Sequence, residues 1–498
     1  MNGMDRPLIE LPAVISEIRA ALPAGMPAWL VGGALRDALL RRRIRDLDFA
    51  VDGDGLTAAR AVARALAADV YALDAERGVG RVILNRDGED LTLDFASLRG
   101  ADLTADLTLR DFTLNAMAVS LEAPADIIDP LNGQADLRAH RVRACTDASI
   151  RDDPVRGVRA VRLAAELNFR LDKPTRAHIR AEAPALANVS AERRRDEFIR
   201  CLGGPRPAAS VRVLDALGLL PHLVPELAAL KGVSQSPPHV YDVWDHTLAV
   251  VARLWDVLSV LRPVHDVDTA SDLILGLVSV RLGRHRQALD EHLNTRAAGD
   301  RPVRWLLLLA ALLHDVGKPA TRTVDPDGRI RFFNHDQVGA ALVTLRLAEL
   351  RLSNEEIRRA NTIVAHHLRP LLLAHEPQVS RRAIYRFFRD TGTAGVDIAL
   401  LALADFLGTH ADGPPPIAAW NRLLDVCAEL LRAYFEQPGE AVDPPALITG
   451  DDLMAEFKLK PGPRIGALLD TVREAQAAGE VVDRSGALAL ARQQLDQG

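Results

Sequence analysis

The sequence predicts an α+β fold: a mixed head followed by a longer, mostly helical remainder. Three observations lead there. A short apolar strand pattern, Trp29-Leu30-Val31, runs through Gly32-Gly33 into a helical pattern from Ala34 to Leu40, and an acidic strand follows over Arg45 to Val51. Aromatic residues make up only 4% while Ala and Arg abound, the composition of a helix-rich chain. At 498 residues the chain exceeds what one core holds, roughly 250–300 residues, so several domains are expected.

The head carries the first chemistry. Asp46 and Asp48 are i and i+2 on a strand and therefore share a face. Like charges that close repel unless a cation sits between them. Magnesium is the natural cation, because it takes carboxylate and phosphate oxygens. Paired acids beside a glycine turn suit metal-assisted phosphoryl or nucleotidyl transfer. Gly32 and Gly33 let the backbone approach a ligand, and the N–H groups at the helix start, with Arg36 and Asp37 in its first turn, can hold phosphate oxygens. The pattern is neither a dinucleotide fingerprint nor a P-loop. Asp94 alternates with apolar neighbours and is expected on the same sheet face. Arg110, Asp111 and Asn115 precede an apolar helix, and Ile128 to Gly133 reads as a turn. Asp153 and Arg156 read as i and i+3 on a helix, one an acceptor and the other a fork of donors suited to a base edge.

From Trp29 to Leu202 this run resembles the tRNA nucleotidyltransferase and poly(A) polymerase family, in its bacterial (class II) branch. The resemblance implies a polymerase-beta-like head in which Asp46, Asp48 and Asp94 hold two Mg²⁺ ions. It implies that Gly32, Gly33, Arg36 and Asp37 cradle the triphosphate, and that Arg110, Asp111 and Asn115 hold ribose and phosphates. Asp153 and Arg156 would pair with the incoming CTP or ATP in place of a nucleic-acid template. Arg159 and Arg162 would contact phosphate from the same helix. The sequence departs from the family at three points. Leu109 stands where a first arginine is usual. Asp152-Asp153-Pro154 replaces Glu-Asp, with Pro expected in a first helical turn. The loop Ala72 to Arg81 differs from the better-known CCA-adding version, in a loop implicated in the switch from C to A addition. Addition of CCA, of CC only or of A only therefore all stay open, as does poly(A) synthesis, although its Gly-Arg-Arg-Phe-like signature is absent after the acidic strand.

Net charge is −6, which is no nucleic-acid-binding average, but its distribution is uneven. From Arg138 to Arg212 there are 17 Lys or Arg against 9 Asp or Glu. A basic neck, including Arg193 and Arg194, is expected to place an RNA end near the metals. No run of ~18 apolar residues suggests a membrane span. The opening Met1 to Arg6 has no signal-peptide pattern, and Cys145, Cys201 and Cys427 are scattered. A cytoplasmic protein without a membrane is the expectation, its oligomeric state open.

The second half carries separate chemistry. His239 and His246, then His314-Asp315-Val316-Gly317-Lys318, His335, His366-His367 and Asp405 follow in order, on apolar helical patterns. Imidazoles and carboxylates converging from several helices make a divalent-metal site, and a buried His-Asp pair is costly without one. The pattern resembles the HD superfamily of metal phosphohydrolases. That resemblance implies a core of His246, His314, Asp315 and Asp405, and an extended set with His335, His366 and His367. It implies a phosphate-contacting Lys318, a metal such as Mn²⁺, Ni²⁺ or Fe²⁺, and phosphodiesterase or phosphatase action on RNA ends. The tail after Asp412-Gly413-Pro414 holds a Gly/Pro turn in which Lys460 and Arg464 could grip an RNA phosphate, a dimer or packing role being the alternative.

The expected organisation is a nucleotidyltransferase head over 1–144, a nucleotide-selecting neck over 145–235, an HD domain over 236–411 with an insertion near 262–302, and a tRNA-binding tail over 412–498. The expected partners are the tRNA 3′ end, CTP and ATP. The rival from another class is an HD phosphohydrolase whose head only binds RNA.

Overall fold

The computed structural model describes residues 11–86, 88–124, 126–264, 272–299 and 301–497. The opening Met1 to Arg6 lies outside the described residues. The chain divides into two compact units, Met1–Glu197 with Val213–His222, and Phe198–Arg212 with Leu223–Gly498. The division falls inside the segment expected to form the neck.

The first unit is built on a seven-stranded sheet. Its strands are β1 (Ala28–Val31), β2 (Asp46–Val51), β3 (Asp69–Asp74), β4 (Val79–Arg86), β5 (Glu89–Ser97), β6 (Ala118–Ser120) and β7 (Ile127–Ile128), in the order β3-β4-β5-β2-β1-β6-β7. The β2–β5 pair is parallel and the other pairs are antiparallel. Period-two alternation sorts the residues of β2 and β5. Leu47, Phe49, Leu93 and Phe95 are buried on one face, where the Phe49 and Phe95 rings stack at 4.7 Å. Helices Val14–Ala21 and Gly55–Leu66 cover that face with Ile18, Ala58, Ala59 and Val62. Asp54 caps the second helix by accepting from the Thr57 N–H at 2.8 Å. Each buried Phe contributes roughly 2–3 kcal/mol. The acids are left on the opposite face.

Beyond the sheet, Asp136 is fully buried at the start of a short helix, Gly133–Arg138. It accepts from Thr113 at 2.6 Å, Arg141 at 2.7 Å and Arg143 at 2.8 Å. The segment read as one helix around Pro154 is two. Ser149–Asp152 ends before Asp153, which is extended at φ −150°, and a new helix runs Arg156–Leu167. Proline disfavours the α region for the residue before it, which is why Asp153 leaves the helix.

The second unit is helical. Helices Val243–Val260, Val303–Leu313, Asn354–His366 and Ala394–Thr409 contribute most of its core, and the last is buried along nearly its whole length. A capping box, Ser353 with Glu356, starts the third of these, and Glu356 also takes both Arg301 donors at 2.7 and 2.9 Å. The expected insertion carries helical structure of its own. Helices Leu273–Leu282 and Arg286–Asn294 lie within it, with Val278, Leu282 and Leu289 fully buried; residues 265–271 and 300 lie outside the described residues. Three further helices, Gly450–Phe457, Pro463–Ala477 and Arg484–Gln497, form a small core around Leu453, Ala487 and Ala491. No single helix among the described residues is long and apolar enough to cross a membrane.

Candidate active site and candidate metal centre

Parallel pairing of β2 and β5 puts Asp48 directly opposite Asp94, and Asp46 two residues along the same face. Gly32, at the turn leaving β1, has φ +76°. A Cβ there would stand 2.7 Å from the Asp48 carboxylate, so only glycine leaves this side of the acids open. Burial pushes the Asp48 carboxyl up to about 6, against the pull of Arg110, and its two acidic neighbours add to the rise. Three carboxylates so placed, beside a glycine that keeps one face clear, fit divalent metal. Asp48 and Asp94 line a cavity of about 660 Å³ whose rim carries Arg77, Arg99 and Arg110.

The remaining head residues form one connected network. Arg36 grips Asp37 with two bonds of 3.0 and 2.8 Å and donates to Asn115 at 2.8 Å. Asn115 donates to Asp111 at 3.1 Å, and Asp111 pairs with Arg159 at 3.1 Å. Arg159 and Arg162 each reach Glu197 at 2.8 Å. Although burial raises it, Asp111 is held below the usual carboxylate range by Arg159 and Asn115. Asp153 and Arg156 are neighbours, with 3.8 Å between their charged atoms, across a turn rather than on one helix face. Arg156 also donates to the carbonyls of Leu109 and Ser149, both at 3.1 Å.

Arg193, expected with Arg194 to face RNA, is exposed, and both also hold partners within the protein. Arg193 donates to Asp153 at 2.6 Å and Arg194 to the His222 carbonyl at 2.8 Å. Lys460 and Arg464 are exposed, Arg464 at the start of helix Pro463–Ala477.

Sequence reasoning missed two residues. Arg81 clamps Asp94 with bonds of 2.8 and 2.7 Å. Asp106 is buried and holds Arg110 with bonds of 3.0 and 2.9 Å. The i,i+4 spacing of Asp106 and Arg110 on a helical pattern was a legible signal. Arg81 had none, because only strand register reveals it.

In the second unit, His246, His314, Asp315, His335, His367 and Asp405 converge, all buried. His246 Nε2 lies 3.1 Å from Asp405 and 3.4 Å from Asp315; His314 and His335 lie 3.1 and 3.4 Å from Asp315. Backbone carbonyls of Ala311, Phe332 and Val364 fix the Nδ1 atoms of His314, His335 and His367, which turns each Nε2 inward. Gly317 makes the crossing that brings His335 near, since a Cβ there would stand 2.1 Å from the His335 carbonyl. Buried atoms without an aligned hydrogen bond gather here: both His246 nitrogens, Nε2 of His314 and His335, and both Asp315 oxygens. That donor set fits a divalent metal. Burial favours a neutral His367, pushed down to about 4. Lys318 bonds Asp315 at 2.7 Å, and with His239 it lines a cavity of about 460 Å³ over the cluster. His366 is not brought in. Successive helical residues point about 100° apart, and its charged neighbours are Arg369, Asp390 and Asp336.

A carboxylate-bearing nucleotidyltransferase head combined with an HD-type metal centre is the class these two sites define. Family models match the chain in that order: the poly A polymerase head domain over 28–143, the probable RNA and SrmB-binding site of polymerase A over 168–231, the HD domain over 279–394, and a putative tRNA nucleotidyltransferase domain 2 over 443–491. His246 and Asp405 lie outside the HD match, yet they complete the cluster. The chain is 34% identical to an A-adding tRNA nucleotidyltransferase of Deinococcus radiodurans, over 93% of this chain and 94% of the relative. It is 33% identical to a CC-adding tRNA nucleotidyltransferase of Geobacter sulfurreducens, over 97% and 96%. Its fold is similar to a Thermotoga maritima CCA-adding enzyme complexed with tRNA, at a TM-score of 0.56 and 18% identity over 98% of this chain and 97% of that one. The chain belongs to the bacterial tRNA nucleotidyltransferase and poly(A) polymerase family.

Proposed function

We propose that the chain adds all or part of CCA to the 3′ end of tRNA, using CTP and ATP. The observation that carries this reading is the placing of Asp46, Asp48 and Asp94 on one face of the β2–β5 pair, beside the Gly32 turn. In the reaction the RNA 3′-oxygen bonds to the α-phosphorus, the bond from that phosphorus to the bridging oxygen breaks, and pyrophosphate leaves. Two Mg²⁺ ions, held by the three acids, would supply charge neutralisation at the attacking and leaving oxygens. The chain's own residues do the rest. The Gly32-Gly33 backbone and Arg110 receive the triphosphate. Asp106 anchors Arg110 at the cavity that would take it. The network from Arg36 to Arg162 holds Asn115 and Asp111 rigid under the ribose. Asp153 and Arg156 offer an acceptor and a donor fork to the base, and Lys460 and Arg464 contact tRNA phosphate. A cytoplasmic location follows from a tRNA substrate.

An A-adding relative at 34% identity and a CC-adding one at 33% do not separate the two, so incorporation decides between them. Purified protein with Mg²⁺ receives tRNA transcripts ending before CCA, after C or after CC, each with CTP, ATP or both. Ordered C, C and A addition, abolished by Asp46→Ala, identifies complete CCA synthesis. Only C or only A identifies one half of a two-enzyme system, and long A tails a poly(A) polymerase. No incorporation on any primer refutes the transferase reading.

The orphaned donors of the second unit favour a second activity, metal-dependent hydrolysis of phosphate esters at RNA ends, with Mn²⁺, Ni²⁺ or Fe²⁺. Hydrolytic opening of a 2′,3′-cyclic phosphate end to a phosphomonoester, with water adding to phosphorus as one ribose P–O bond breaks, is the expected result, lost in His314→Ala and kept in Asp46→Ala.

A further inference from the structure

The three acids of the head share a face without repelling the sheet apart, and an arginine explains how. Arg81 stands directly opposite Asp94 in the β4–β5 register. Its Nε and Nη2 take one oxygen each of that carboxylate, at 2.8 and 2.7 Å. The bond to Asp94, reinforced by the charges of Asp94, Asp46 and Asp48, raises the affinity of Arg81 for its proton. Arg110 supplies a second positive charge to Asp48, but Arg110 is anchored by Asp106. Among the described residues Asp94 is the carboxylate that Arg81 pairs with, and the Arg81 side chain is 40% exposed, so solvent is open to it when that pair parts.

We propose that Arg81 is the resident counter-cation of the acid triad and that divalent metal competes with it for Asp94. This rests on the reading of the triad as the metal site. Metal held with the help of Asp94 would need one of its oxygens, and both already hold a guanidinium N–H. A bidentate guanidinium covers a carboxylate more completely than any single ammonium can. A fixed positive charge within hydrogen-bond distance of that carboxylate also repels the ion. Metal entry at Asp94 is therefore an exchange: one guanidinium leaves as one divalent cation enters, and no covalent bond or proton moves. The consequence is a head that holds metal weakly while idle. Arg81, once released, is a free cation beside the cavity that carries Arg77 and Arg99 on its rim. Phosphate arriving with the nucleotide or the RNA gives the displaced side chain a new partner and draws the exchange forward.

The test is Mn²⁺ binding by the full-length protein, followed by electron paramagnetic resonance without RNA or nucleotide. Wild type, Asp48→Asn, Arg81→Met and Arg81→Lys are compared. Ions lost in Asp48→Asn are assigned to the head, which separates them from the HD cluster. Arg81→Met is expected to tighten the head's Mn²⁺ dissociation constant tenfold or more. Arg81→Lys is expected to fall between it and wild type, because one ammonium cannot span both oxygens, and it carries the test if Arg81→Met does not fold. Unchanged or weaker binding in both variants overturns the proposal and makes Arg81 a support for the metal site instead. If no ion disappears in Asp48→Asn, the triad is not a metal site, and the functional reading falls with the proposal.

Discussion

Without metal, Asp48→Asn is expected to stabilise the protein while it ends nucleotidyl transfer. Burial raises the Asp48 carboxyl from its ordinary 3.8 to about 6 in the folded head. Ionising it there costs about 3 kcal/mol relative to the unfolded chain. The sign follows from proton counts. Between pH 4 and 6 the folded state keeps a proton that the unfolded state has lost, so stability falls as pH rises through that window and stays low above it. Asparagine has the same shape and no charge, so it escapes the penalty. At pH 7.5 in EDTA the variant should unfold about 2–3 kcal/mol later than wild type, or roughly 2–4 °C per kcal/mol for a unit of this size. Its advantage should vanish toward pH 4. Added Mg²⁺ should narrow the gap by stabilising wild type alone. The assay is urea unfolding at a series of pH values, with incorporation into tRNA measured in parallel. Equal or lower stability of the variant at pH 7.5, or a gap that does not close on acidification, refutes the burial argument.

Three further outcomes are expected. Gly32→Ala forces a side chain into φ +76°, ψ −145° and against the Asp48 carboxylate. It should cost roughly 1–3 kcal/mol in unfolding and about 100-fold in turnover. Asp136→Ala strands Arg141, Arg143 and Thr113. The arginines reach solvent, so the loss should be about 2–3 kcal/mol, less than for a fully buried pair, read as an earlier denaturant midpoint. Chelation should lower the melting temperature of the second unit, and elemental analysis should find a divalent ion that His314→Ala loses, because the inward Nε2 atoms of His246, His314 and His335 have no aligned hydrogen bond among the described residues.

How much of this was legible in the sequence differed by kind of residue. The shared face of Asp46 and Asp48 follows from two-residue alternation alone, and the apolar neighbours of Asp94 pointed to the same face. The pairing of Asp94 with Arg81 depends on which residue of β4 meets which of β5, and a one-residue slip would reverse it. The Asp153–Arg156 proximity was legible but its cause was not, since Pro154 turns the chain where helical spacing was assumed. Of the adjacent His366 and His367, spacing cannot tell which faces inward; the packing of helix Asn354–His366 decides. Charge counts at the basic run around Arg193 could not show that Asp153 and the His222 carbonyl also accept from it.

The parallel pairing of β2 with β5 has a consequence for how the head comes to exist. Antiparallel neighbours can zip from a tight turn, but parallel strands must wait for the crossover between them. Here the crossover is a helix and two further strands, so Asp48 and Asp94 meet only after some forty residues of intervening chain have been ordered. Contacts of that sequence separation form slowly. A nascent or partly refolded head can hold the Gly32 turn and the first two acids and still lack the third. Recovery of nucleotide incorporation during refolding should therefore trail the recovery of secondary structure, with the last step being closure of this one strand pair.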